Sequence, residues 1–197
     1  VPLSTVKLGH FSAVFNSFEI QQKGSLLKMP RSSYVQAVRA KIGSDLLMLQ
    51  SVTVMLFDDQ RRLLLAQNAS SGLWMTVGGG IDPDEIPADA AVRECWEEKG
   101  LLIEPTALLG VFGGPEFRIN YANGDSVSYV VTVFEARWIA GEACPDGLES
   151  SAVRFVSRDE ARTLRMAAWT KEMVERAFDY NGTPYFARPT WQPPRKA

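Results

Sequence analysis

The sequence predicts an α/β (α+β) domain in which a mixed β-sheet is sandwiched between α-helices. Three observations carry this prediction. Strand-like and helix-like stretches are interleaved along the chain rather than separated into blocks. A hairpin pattern leads into three consecutive glycines, Gly78-Gly79-Gly80, that open onto a helix. A long alternating apolar stretch, Val127 to Trp138, follows that helix.

Residues 1–31 hold the only histidine, His10, one acidic residue, Glu19, and no sustained apolar period. They read as an extension that packs on the domain or pairs with another subunit, which makes a homodimer an expectation. They lack the basic start and apolar middle of a signal peptide. His10 reads as a surface residue, since no metal-binding partners lie near it in sequence. The domain is expected over 32–180. Ser32 or Ser33 caps a helix carrying Val35, Val38 and Ile42, with Gly43 at its exit. Leu49 to Phe57 reads as a buried strand, Asp58-Asp59 as a turn and Arg62 to Gln67 as the hairpin partner. Asn68 to Gly72 is a polar loop, and Leu73 to Val77 a short strand running into the glycines. A helix over Pro87–Lys99 is closed by Gly100. Leu108 to Phe112, Val127 to Trp138 and Val153 to Val156 are the later strands, and helices near Arg158–Leu164 and Trp169–Tyr180 complete the core. On the last helix, Trp169, Met173 and Phe178 read as core. Residues 181–197, rich in proline and aromatics, form a tail lying over the surface.

Composition narrows the function. The chain has 197 residues, 46% apolar and 22% charged, as a globular protein has. That length supports a core burying roughly 70% of the unfolded surface. Its net charge of −2 argues against a general nucleic-acid binder. No apolar run approaches the roughly 18 residues of a membrane span. Two cysteines, Cys95 and Cys144, make no disulfide framework and fit a reducing, cytoplasmic compartment.

The chemistry concentrates in Gly78 to Leu101. On the predicted helix Ala88, Ala91, Val92, Cys95 and Trp96 fall on one side as the core face. Arg93, Glu94, Glu97 and Glu98 gather on the other. The spacings from Glu94 to Glu97 and Glu98 make these carboxylates neighbours, and like charges so placed repel. A divalent cation resolves the conflict. Magnesium is suited to it, because it takes oxygen ligands and shares its shell with water and substrate phosphates. The glycines leave backbone open to close approach, so the Gly79 carbonyl is a further candidate ligand. Glu85 lies two turns before Arg93 and is read as its structural support.

This stretch resembles the Nudix hydrolase signature, G-x5-E-x7-R-E-U-x-E-E-x-G-U, where U is a bulky aliphatic residue. Gly79, Glu85, Arg93, Glu94, Glu97, Glu98, Gly100 and Leu101 stand at the matching positions. Two departures are Cys95 at the first bulky position and Thr76-Val77 where the family often has Leu-Pro. The signature covers 23 of the 197 residues, and the surrounding pattern extends the resemblance over Leu47–Tyr180.

The resemblance implies the Nudix fold and a hydrolase that splits the pyrophosphate bond of a nucleoside diphosphate derivative, a small-molecule nucleotide substrate. It implies Mg2+, with Mn2+ as an alternative, held by Glu94, Glu97, Glu98 and the carbonyl of Gly79, with Arg93 orienting the set. The catalytic base falls to Glu94 or Glu98 on the helix, or to Glu149 on a later loop. Cys95 is not expected to act as a nucleophile.

Between Gly113 and Tyr129, Arg118 is a candidate for a substrate phosphate and Glu116 or Asp125 for a ribose hydroxyl or metal. Phe117, Tyr121 and Tyr129 are candidates for stacking on a base. Pro115, 14 residues past Leu101, tilts the expectation towards an ADP-ribose-like substrate. Diadenosine polyphosphates and oxidised dNTPs are the alternatives, as is a Nudix domain that senses a ligand without catalysis. The intact signature argues against the sensor and against relatives of isopentenyl diphosphate isomerase.

Overall fold

A computed structural model describes residues 32–121, 123–145 and 149–193. The expectations for residues 1–31, His10 included, lie outside the described residues. Helix α1 (Ser33–Ile42) begins where the Ser32 hydroxyl accepts the Val35 N–H at 3.2 Å, and its buried Val35 joins the core. The strands are β1 (Leu47–Leu56), β2 (Leu63–Asn68), β3 (Trp74–Met75), β4 (Val77–Gly80), β5 (Leu101–Phe112), β6 (Arg118–Asn120), β7 (Ser126–Gly141) and β8 (Ser150–Val156). Helix α2 (Pro87–Lys99) lies between β4 and β5. Helices α3 (Arg158–Thr163) and α4 (Ala168–Phe178) follow β8.

The strands make two sheets. The larger is mixed, in the order β4-β1-β7-β5, with β6 also paired to β7. Its central pair, β1 and β7, is parallel and the remaining pairs are antiparallel. The smaller sheet, β3-β2-β8, is antiparallel. One face of the large sheet packs its Leu49, Met55, Tyr129, Val131 and Val133 with Trp169, Met173 and Ala177 of α4. The other packs Val52, Val54 and Leu56 with Ala90, Ala91 and Cys95 of α2. The sheet thus lies between helices, as predicted.

Three expectations need correction. The β1–β2 hairpin hardly exists: only Phe57 and Leu63 bridge, and β2 turns away to pair with β3 and β8. Leu73 to Val77 is not one strand. The chain changes sheets at Thr76, with Trp74–Met75 pairing β2 and Val77–Gly80 pairing β1, so the glycines are strand rather than turn. Strand β5 starts at Leu101, directly after the helix, because its full length finds a partner in β7.

The tail is tied to the sheet edge. The Tyr185 N–H donates to the Leu109 carbonyl at 2.8 Å, and the Val111 N–H donates to the Tyr185 carbonyl at 2.9 Å. The ring of Tyr185 packs on Phe112, with centroids 4.8 Å apart. Among the described residues no helix is long and apolar enough to cross a membrane.

Candidate active site on helix α2

Helix α2 starts at Pro87, whose missing N–H costs nothing in the first turn. It ends where Gly100 adopts φ +66°, the left-handed conformation that glycine takes without strain. Its buried stripe is turned relative to the sequence expectation. Ala90, Ala91, Glu94, Cys95, Glu98 and Lys99 are buried, whereas Trp96 is 56% exposed. Two of the three carboxylates therefore face inward, against strand β4. Gly79 makes room for one of them, since a Cβ there would overlap the Glu94 carboxylate.

Arg93 organises the cluster. Its Nε and Nη2 donate to the two carboxylate oxygens of Glu85, both at 2.8 Å. Nη1 donates to Glu94 Oε1 at 2.7 Å and reaches Glu97 Oε2 at 3.3 Å, and Nη2 also meets the Gly80 carbonyl at 2.9 Å. Glu85 Oε2 accepts the Asp82 N–H at 3.1 Å, which closes the loop between β4 and α2. Glu85 thus holds the Arg93 guanidinium through both carboxylate oxygens. The guanidinium beside it, aided by the Asp82 N–H, holds its carboxyl below the usual carboxylate range.

Glu94 and Glu98 behave oppositely. Burial drives the Glu94 carboxyl up to about 8, against the pull of Arg93. Burial also pushes Glu98 well up. Lys99 opposes that rise, Glu94 and Glu149 add to it, and the Gly78 N–H bonds the Glu98 carboxylate. Glu94 Oε2 and Glu98 Oε1 are buried without a hydrogen-bond partner. An unpartnered buried carboxylate oxygen is costly. Among the described residues no three acidic, histidine or cysteine side chains converge on one metal-binding point. Arg93 accounts for part of this, since it draws Glu97 and one oxygen of Glu94 to itself. The hard oxygen donors and the two orphaned oxygens nevertheless fit a divalent cation.

Glu149, at the entry to β8, is half-buried and acts electrostatically on Glu98. Cys95 is fully buried in the core, and burial pushes its thiol up, away from the thiolate that a nucleophile needs.

The sequence candidates beyond the signature separate. Phe117 and Tyr129 are core residues, each 2% exposed. Tyr121 packs against the same core, its hydroxyl 2.7 Å from that of Tyr129. Burial takes Phe117 and Tyr129 out of reach of a base, whereas Tyr121 remains partly exposed. Glu116 and Arg118 are exposed. The registers put Met48, Ser128 and Arg118 side by side, then Gln50 beside Val130, then Gly79, Val52, Thr132 and Val111. All lie on the face that α2 covers further along. Met48 (70% exposed), Val130 and Val111 are left open there. At about 3.3 Å per residue, Arg118 stands about 13 Å along the strands from Gly79.

Sequence reasoning missed Lys99 and Ser150, a buried pair joined at 3.1 Å. The helical spacing of Ala91, Cys95 and Lys99 was the available signal.

The fold and site define a mixed α+β domain with an acidic centre, suited to a hard cation, on one face of its sheet. The NUDIX domain model matches residues 48–177, about two thirds of the chain, and the chain belongs to that family. It is 30% identical over 108 residues to a Bacillus subtilis protein provisionally named 8-oxo-dGTP diphosphatase, covering 55% of this chain and 66% of that one. It is 37% identical over 117 residues to a MutT-like protein of Streptomyces ambofaciens, covering 59% and 68%. It is 38% identical over 73 residues to human diphosphoinositol polyphosphate phosphohydrolase 3-beta, covering 37% and 42%. The chain thus spans about two thirds or less of these relatives. Among solved structures, the MutT protein of Bacillus halodurans superposes with a TM-score of 0.58 at 23% identity, over 69% of this chain and 85% of that one. A UDP-X diphosphatase gives 0.56 at 20% identity, over 76% and 70%. These likenesses support the fold.

Proposed function

We propose that this chain is a magnesium-dependent hydrolase of the pyrophosphate bond in a nucleoside diphosphate derivative. The observation that carries the reading is the α2 cluster. Glu94 lies against Gly79, Glu97 and Glu98 follow it on the next turn of the same helix, and Glu94 Oε2 and Glu98 Oε1 are buried and unpartnered. Glu94, Glu97, Glu98 and the Gly79 carbonyl would hold Mg2+, or Mn2+ in its place. Bound there, such a cation would supply charge neutralisation of non-bridging phosphate oxygens and a lowered pKa of water. Arg93, locked by Glu85 and the Gly80 carbonyl, keeps Glu94 and Glu97 in register. A carboxylate takes the proton of the attacking water, and Glu94, Glu98 and Glu149 are the groups within the cluster that can do so. The two free cysteines fit the reducing, cytoplasmic setting in which nucleotides are plentiful.

The open half of the sheet face receives the remainder of the substrate. Met48, Val130 and Val111 offer an apolar floor beside the polar Gln50, and Arg118 at its far end suits a phosphate or another anionic group. Pro115 supports an ADP-ribose-like substrate. The provisional name of the Bacillus subtilis relative supports the second reading, an oxidised dNTP.

A release assay tests the reading. The protein is incubated with magnesium and ADP-ribose, diadenosine polyphosphates, nucleotide sugars, and normal and oxidised dNTPs, with Glu97→Gln and Glu98→Gln alongside. Metal-dependent release from one class, lost in both variants, is expected. Turnover unaffected by either variant would remove the cluster from the chemistry. No turnover, with one compound raising the melting temperature, would make the chain a ligand sensor.

A further inference from the structure

Lys99 is the last residue of α2, directly after Glu98, and only 3% of it is exposed. Burying an ammonium is costly unless partners replace its water. Its Nζ donates to the Ser150 hydroxyl at 3.1 Å, and Ser150 is itself 1% exposed. This bond joins the end of the carboxylate helix to the first residue of β8, 51 positions later. The residue before Ser150 is Glu149. Its carbonyl accepts the Ala69 N–H from the loop between β2 and β3 at 2.9 Å. The segment is therefore held from two sides, by α2 through Ser150 and by that loop through the Glu149 backbone. Its carboxylate is close enough to Glu98 to act on it electrostatically. A surface lysine at the helix end would complement the helix dipole equally well. The buried placement and long-range partner of Lys99 point to a further role.

We propose that Lys99 is a positioning residue, which by anchoring Ser150 fixes the segment that carries the Glu149 carboxylate near the end of α2. The inference rests on the hydrolase reading and deepens it, because it makes the geometry of a candidate base depend on a side chain outside the metal-binding set. A merely structural lysine would fill the same space but would not act through Glu149.

A double-mutant cycle separates the two. Turnover is measured with magnesium, on the panel substrate that the wild type cleaves fastest, for Lys99→Met, Ser150→Ala, Glu149→Gln and Lys99→Met/Glu149→Gln. Lys99→Met is expected to lower kcat by about ten- to a hundredfold with KM little changed, the cost of misplacing a reacting group. The double variant is expected to be no slower than Glu149→Gln alone, because one pathway is already broken. Hydrogen exchange at the Ala69 amide, read without substrate or metal, is expected to accelerate in Lys99→Met and in Ser150→Ala. Losses that multiply in the double variant would overturn the proposal. So would full kcat in Glu149→Gln, or unchanged Ala69 exchange in both single variants. If Lys99→Met does not fold, Ser150→Ala replaces it throughout the cycle. A wild type that cleaves nothing overturns the hydrolase reading, and with it the catalytic part of the inference, while Ala69 exchange still decides whether Lys99 anchors the segment.

Discussion

Glu94 and Glu85 both contact Arg93, yet their carboxyls are displaced in opposite directions. Glu85 stays near the surface and receives two guanidinium bonds and a backbone N–H. Glu94 is buried against Gly79, with one oxygen bonded and the other unpartnered. The signs fix a pH dependence for the metal-free protein. Glu94 keeps its proton in the folded state up to about pH 8, whereas its ordinary value is 4.5. Between those values the folded chain holds a proton that the unfolded chain has lost, so stability falls as pH rises. Glu85 works the other way. Its stabilisation is present above its ordinary value of 4.5 and is lost as pH falls through the lowered folded value. Thermal melts of metal-free protein are expected to show a falling midpoint from about pH 5 to about pH 8. Glu94→Gln is expected to flatten that limb. A limb of equal slope in the variant would assign the effect to other groups. The sequence showed this cluster by its spacing. It did not show which carboxylates face inward, because a helical wheel read from hydrophobicity alone assigns charges to solvent.

At the scale of the element, α2 depends on two glycines with different tasks, Gly100 at its end and Gly79 on the neighbouring β4. Gly100 ends the helix in a left-handed conformation, and a Cβ there meets nothing closer than 3.8 Å. Gly100→Ala is expected to cost about 1 kcal/mol of stability, measured by denaturant unfolding, and to leave turnover within about twofold. Gly79 has no such backbone demand. A Cβ at that position would overlap the Glu94 carboxylate, which Arg93 holds from its other side. Gly79→Ala is expected to move Glu94 and to lower kcat by about a hundredfold, with the smaller loss of stability typical of overpacking, about 1–3 kcal/mol. Equal effects of the two substitutions on kcat would contradict this division. The helix itself was legible in the sequence to the residue, because Pro87 and Gly100 mark its ends. Sheet membership was not. The change of sheet at Thr76 and the departure of β2 from β1 are decided by distant partners, β8 above all, and no local pattern announces them.

At the scale of the molecule, the parallel pair β1–β7 fixes the site, since α2 covers only part of one sheet face and leaves the stretch from Met48 to Val111 open. The tail guards an edge. Strand β5 ends the path of the large sheet, and Tyr185 takes up the Leu109 carbonyl and the Val111 N–H. An uncovered strand edge invites pairing between copies. Removal of residues 181–197 is expected to produce concentration-dependent association by light scattering, with Tyr185→Ala milder because the backbone bonds can persist. A truncated chain that scatters like the full one would show that the edge needs no cover. The sequence placed the tail on the surface but gave no sign of this pairing, which rests on backbone atoms. It also proposed Tyr121, Phe117 and Tyr129 as ligand contacts, because aromatics near a turn look available until the packing that buries Phe117 and Tyr129, and partly buries Tyr121, is known.

We propose above that Glu94, Glu97 and Glu98 hold one cation. Titration of the metal-free protein with Mn2+, followed by its electron paramagnetic resonance signal, tests it without reference to any substrate. Wild type is expected to bind Mn2+, with Mg2+ competing, and Glu97→Gln and Glu98→Gln are each expected to weaken binding by about tenfold or more. Equal affinity in all three proteins, or no binding in the wild type, would contradict the account.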